Sequence, residues 1–166
     1  YLGGSRQWRV LFPNTPEADG GDTRLSATWD MYIWGTGLEY DTSGWPYVYR
    51  GSGNRLKLSV YSTKLPHNDD NEYYLPDGEY TLVRNSDNQP NTITYGQDNL
   101  GVVDPIFPMG SWYFDTQNDA AVAQAPLAGG KMTVQRNGEV YTLTFDFTDD
   151  AGNAITGTCT ATFNMT

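Results

Sequence analysis

From Lys131 to Phe163, apolar and polar side chains alternate with period two. Tyr141, Leu143, Phe145 and Phe147 share one face, and Thr142, Thr144, Asp146 and Thr148 share the other. Beyond the turn Asp149-Asp150-Ala151-Gly152-Asn153, the next run sets Ile155, Gly157, Cys159, Ala161 and Phe163 against Thr156, Thr158, Thr160 and Thr162. Successive side chains of a strand point to opposite faces, so the pattern predicts antiparallel hairpin strands, apolar inside and threonine-rich outside.

The same rhythm extends upstream. Gln7 to Phe12 predicts a strand with Trp8, Val10 and Phe12 on one face. Ala27 to Trp34 predicts a strand with bulk on both faces, Trp29, Met31 and Ile33 against Tyr32 and Trp34. Arg55 to Ser62 alternates Leu56, Leu58 and Val60 with Lys57, Ser59 and Tyr61. Gly35 to Gly53 reads as loop, with a short strand around Tyr47 to Arg50. Further strands are predicted at Glu79 to Arg84, Thr92 to Tyr95, Ser111 to Asp115, Lys131 to Arg136, Glu139 to Thr148 and Ala154 to Met165. Leu75-Pro76-Asp77-Gly78 is a turn signal, and Asn137-Gly138 is the favoured dipeptide of a two-residue type I′ hairpin turn. Only Asn118 to Leu127, rich in alanine, offers a place for a helical turn, cut short by Pro126 and Gly129-Gly130. About nine or ten short strands separated by Gly, Pro and Asn turns predict an all-β chain, an antiparallel β-sandwich of jelly-roll or immunoglobulin-like kind, with an up-and-down β-barrel as the alternative. No repeat or linker divides residues 1–166, which read as one domain.

Ten basic against 20 acidic residues give a formal charge of −10, which repels phosphate backbones and anionic lipid surfaces, so nucleic acid is not an expected partner. No apolar run approaches the roughly 20 residues that span a bilayer, so no transmembrane segment is expected. Cys159 is the single cysteine, which excludes an intrachain disulfide and leaves it as a small buried residue. The chain opens Tyr1-Leu2-Gly3-Gly4-Ser5 without Met and reads as a processed product or an excised domain, any export signal or lipid anchor lying upstream. Aromatics reach 14 % against 18 % charged residues, a balance common among extracellular β-domains.

Two blocks carry a family resemblance. Gly129-Gly130-Lys131-Met132-Thr133-Val134, followed by Tyr141 to Thr158, is similar to the end of a β-sandwich domain found in surface and periplasmic lipoproteins of gut Bacteroidetes. Leu56 to Tyr61 and Leu75 to Leu82 resemble the middle of the same domains. The resemblance implies an exported, lipid-anchored module at the cell surface or in the periplasm, often repeated in tandem and without assigned chemistry.

For function, the densest signal is Trp29 to Tyr49. Within it Trp34, Tyr40, Trp45, Tyr47 and Tyr49 are interleaved with Gly35, Gly37, Gly44 and Pro46, which displays Tyr40 and Trp45 on a loop. Flat aromatic faces offer large contact area at low rotamer cost and stack on the C–H face of a pyranose, while Asp30, Glu39, Asp41 and Arg50 are placed to hydrogen-bond hydroxyls. Against this stands simple packing: Trp29 with Tyr32 or Trp34 filling both sides of a strand, and the other rings covering an open end.

Glycoside hydrolysis needs two carboxyls about 5 to 9.5 Å apart. Asp30, Glu39, Asp41, Asp115 and Asp146 lie on or near strands, yet no spaced pair stands out. The runs His67 to Glu72, Asp19 to Asp22 and Asp149 to Asn153 offer oxygen ligands of the kind Ca²⁺ takes, without EF-hand spacing, so no cofactor is expected and turns are the simpler explanation. His67 is the sole histidine and Cys159 has no base in its own strand, which argues against a zinc site and against a cysteine nucleophile. No Gly-rich phosphate loop opens a helix. The leading reading is a non-catalytic module that binds glycan through Trp34, Tyr40, Asp41, Trp45, Tyr47 and Tyr49. The rival is a structural or adhesive module that contacts neighbouring subunits or domains through strand edges, and a glycosidase stands third.

Overall fold

A computed structural model describes residues 6–12, 26–63, 74–85, 89–98 and 108–165, and among these the chain forms fourteen strands and no helix. They are β1 (Arg6–Phe12), β2 (Ala27–Trp34), β3 (Leu38–Asp41), β4 (Val48–Gly51), β5 (Gly53–Ser62), β6 (Gly78–Val83), β7 (Thr92–Thr94), β8 (Gln97–Asp98), β9 (Pro108–Met109), β10 (Trp112–Gln117), β11 (Ala120–Asn137), β12 (Val140–Asp149), β13 (Ala154–Thr162) and β14 (Asn164–Met165).

Ten of them form one hydrogen-bonded sheet in the order β13-β12-β11-β6-β7-β5-β2-β1-β14, with β10 bridging β11 and β5. The bridge closes β5, β10, β11, β6 and β7 into a five-strand ring. The pairing does not resolve into the two stacked sheets of the expected sandwich. It meets the closed-barrel alternative, with extra strands outside the ring. The barrel is not up-and-down, because β6 and β7 run parallel and the spatial order departs from the chain order. Only Phe163 separates β13 from β14, and β14 pairs with β1, so the two ends of the long ladder are one residue apart in the chain.

One apolar cluster fills the interior. It takes Trp29, Met31 and Ile33 from β2, Leu56, Leu58 and Val60 from β5, Tyr80 and Leu82 from β6, Met132 and Val134 from β11, Leu143, Phe145 and Phe147 from β12, and Cys159 from β13. The alternation along β12 and β13 is borne out: Leu143 and Phe147 are buried, while Thr144, Thr148, Thr158 and Thr160 are exposed. Each large apolar side chain so buried contributes about 1.5–3 kcal/mol. The indole N–H of Trp29 donates to Ser62 Oγ at 2.7 Å, satisfying the one polar atom this large ring brings inside.

Three local expectations are corrected. Asn118 to Leu127 holds no helical turn: Asn118 and Asp119 adopt left-handed φ of 49° and 70°, close a two-residue hairpin, and send Ala120 to Pro126 back along β10. A short Asn-Asp turn with both φ positive matches the strand twist, which outweighs the helix propensity of the alanines. The β11–β12 turn falls one residue later than Asn137-Gly138, since Asn137 pairs with Val140 and Gly138 alone takes a positive φ of 61°, the type II′ pattern. Finally, Gly35 to Gly53 is more than loop, because Leu38–Asp41 pairs with Val48–Gly51 as a separate two-stranded hairpin. The runs Asp19 to Asp22 and His67 to Glu72 lie outside the described residues.

Candidate functional site

Strand β2 carries the root of the site. Its outward Trp34 is buried at 4 % exposure, because the β3–β4 hairpin folds over that end of the strand. Tyr40 and Tyr49 are register partners in the hairpin, and their rings lie 4.8 Å apart. Trp34 meets Tyr40 at 5.8 Å and Tyr49 at 5.7 Å. Tyr47 stands edge-on to Tyr40 at 6.1 Å, and Trp45 edge-on to Tyr47 at 5.4 Å. The five aromatic residues singled out by sequence therefore form one continuous chain of rings from the sheet to the hairpin tip. Exposure rises along it: Tyr47 is 50 % exposed and Trp45 86 %.

The tip is braced. Asp41 Oδ1 accepts hydrogen bonds from Ser43 N at 2.9 Å and Ser43 Oγ at 2.5 Å, and its Oδ2 accepts from Arg50 Nε at 3.1 Å. Those bonds hold its carboxyl down at about 2, the Ser43 hydroxyl contributing most, then the Ser43 amide, then Arg50. Asp41 thus shapes the loop that carries Trp45. Trp45-Pro46 is a cis peptide.

The hairpin base is clamped by the β10–β11 turn. Asp119 N donates to Gly51 O at 2.9 Å, Asp119 Oδ1 accepts from Gly51 N, Asn118 N donates to Ser52 Oγ at 3.0 Å, and Arg50 reaches Asp119 Oδ2 at 3.6 Å. Gly51 needs to be glycine: its φ is +98°, and a Cβ there would strike the carbonyl of Gly37. Beneath the rings, the Arg55 guanidinium lies 3.7 Å from the Phe114 ring centroid and 4.6 Å from that of Tyr49. Its Nε is buried with no hydrogen-bond partner among the described residues, and burial pulls its pKa down. Burial likewise pushes up the hydroxyls of Tyr49 and Tyr40, so both stay neutral phenols. Arg55, Phe114, Asn118 and Asp119 were missed as parts of the site. The signal available for the last two was the Asn-Asp dipeptide, a pair that tolerates left-handed backbone.

The other proposed chemistry is dispersed. Asp149 turns its carboxylate onto its own loop, accepting from Ala151 N at 3.0 Å, Asn153 N at 2.7 Å and Asn153 Nδ2 at 2.8 Å. Among the described residues no group of three or more His, Cys, Asp or Glu side chains gathers to hold a metal, and no helix is long and apolar enough to cross a membrane. Cys159 is buried as a core residue.

In comparisons with known proteins, no family model, no curated protein and no solved structure matches the chain.

Proposed function

We propose that this chain is a non-catalytic module of an exported bacterial surface or periplasmic lipoprotein and that it holds glycan on the tip of the β3–β4 hairpin. One observation carries the reading: Trp45 presents 86 % of its surface to solvent while packed edge-on against Tyr47. A large apolar ring held out in water costs solvation free energy, and rings that are both exposed and oriented suit stacking on a flat ligand. Trp34, Tyr40 and Tyr49 support the platform from below, and Asp41 and Arg50 fix the loop that presents it. An anionic glycan fits poorly, since the net charge is −10 and the cation at the tip, Arg50, is already paired to Asp41 and Asp119.

Tryptophan fluorescence titrated with neutral polysaccharides tests this. Wild-type quenching that disappears in Trp45→Ala supports it, and silence across the panel rejects it.

The rival, an adhesive or structural module, draws on β13. Among the described residues this nine-residue strand pairs only with β12, and it carries no charge or proline of the kind that usually protects an edge. Concentration-dependent self-association that survives Trp45→Ala favours that reading. Glycoside hydrolysis is the weakest of the three readings, because the Asp41 carboxylate near the platform is already taken up by Ser43 and Arg50.

A further inference from the structure

Side chains alternate along β5 and β10, so Asn54 and Tyr113 face away from Arg55 and Phe114, whose face carries the aromatic hairpin. On the Asn54 side lies a half-open cleft of about 490 Å³, within the range of small-molecule sites. Its walls are Asn54, Tyr113, the strand edge at Gln124, Asn153, Ile155 and Thr156. A recess of about 50 Å³ continues it toward Leu56 and Phe145.

The cleft follows from strand lengths. Strand β12 joins β11 only from Leu127 onward, so among the described residues Ala120 to Pro126 pairs with β10 alone. Leu127 N donates to Ser111 O on the β10 side. Backbone polar groups alternate along a regular strand, so the N–H and C=O of Gln124, three residues away in unbroken register, point to the opposite side and into the cleft. They have no partner among the described residues, and neither do the side-chain polar groups of Asn54, Tyr113 and Thr156. The far wall is rigid, because Asn153 is tied to Asp149 through both its backbone and its side-chain amide.

We infer that this cleft is a second binding site, for a short neutral saccharide. It offers amide, hydroxyl and backbone donors and acceptors beside one aromatic ring, the set that hydroxyls and a sugar C–H face require. No Lys or Arg lines it, and its lone carboxylate, Asp149, is turned onto its own loop, so neither an anion nor a cation finds a counter-charge. Of the three β11 residues that line the cleft, Ala123, Gln124 and Ala125, only Gln124 turns its N–H and C=O outward, too little for an added peptide strand. The site shares no residue with the hairpin tip and stands whether or not the tip binds glycan.

Backbone and side-chain amide NMR, titrated with neutral disaccharides built from glucose, galactose, mannose and N-acetylglucosamine, decides the matter. Saturable shifts at the Gln124 amide and the Asn54 side-chain amide are expected for at least one sugar. Loss of one neutral hydrogen bond in Asn54→Ala weakens binding about 2- to 12-fold. Trp45→Ala leaves this titration intact, and Asn54→Ala leaves polysaccharide retention at the tip intact, so either site can fail alone. Shifts absent for the whole panel, equal shifts with glucuronate, shifts unchanged in Asn54→Ala, or a response to trialanine instead would each overturn the inference.

Discussion

Tyr40 and Tyr49 face each other across the β3–β4 ladder with ring centroids 4.8 Å apart, and each also touches the buried indole of Trp34. This pair is one of two joints, with the clamp from the β10–β11 turn, through which a two-stranded hairpin too small to be stable alone is fixed to the main sheet. A double-mutant cycle of Tyr40→Leu and Tyr49→Leu, read by urea unfolding, is expected to give a coupling of about 0.5–1.5 kcal/mol. Additive losses would mean that the rings pack independently.

The tip should also respond to acid in a defined window. The ordinary Asp carboxyl value is 3.8, and in the folded chain Asp41 is held at about 2 by Ser43 and Arg50. A depressed folded value gives a contribution fully present above 3.8 and lost as pH falls through about 2. The loop therefore keeps its bracing throughout the weakly acidic range. The Ser43 amide shift, followed by NMR against pH, is expected to titrate near 2, and a midpoint near 3.8 would show that the carboxylate is not so held.

The two faces of β12 separate a core effect from a surface effect. Leu143 is fully buried, and Leu143→Ala is expected to cost about 2–5 kcal/mol through lost transfer energy and the cavity left behind. Its neighbour Thr144 is exposed, and Thr144→Ala is expected to stay within about 0.5 kcal/mol. Equal losses at both positions would contradict the assignment of faces.

Much of this was legible in the chain because burial imposes a period. The bounds of Ala27–Trp34 match the pattern to the residue, and those of β5, β6, β7 and β12 fall within a residue or two of it, since one side of each packs into the common core; β13 starts at the expected Ala154 but ends at Thr162, three residues before the expected Met165. Features set by partners distant in sequence were not legible. Strand β10 pairs with both β5 and β11, and that choice, which turns a ladder into a ring, leaves no mark on local periodicity. The first half of β11 offers a place for a helical turn in sequence because nothing in its alanines discloses the hairpin that Asn118 and Asp119 impose. At the site, the aromatic cluster is visible as composition, and the loop glycines and Pro46 mark Trp45 as displayed, but nothing local shows that Leu38–Asp41 forms a strand that carries Tyr40 onto Trp34 and covers it.

The base of that hairpin depends on the clamp from the β10–β11 turn. Asp119→Ala removes the acceptor for Gly51 N and one of the two carboxylate partners of Arg50, and is expected to raise hydrogen exchange across Leu38–Gly51 while leaving β12 and β13 unchanged. Uniform loss of protection would show instead that the hairpin and the main sheet open as one unit.

The central claim is that an exposed indole on a braced hairpin holds glycan, and native electrophoresis through gels cast with a neutral polysaccharide tests it most directly. The wild-type chain is predicted to be retarded, and Trp45→Ala to migrate as it does without polysaccharide, with affinity about tenfold or more weaker and the unfolding midpoint unmoved. Equal retardation of both proteins, or of neither in any polysaccharide, would contradict the account.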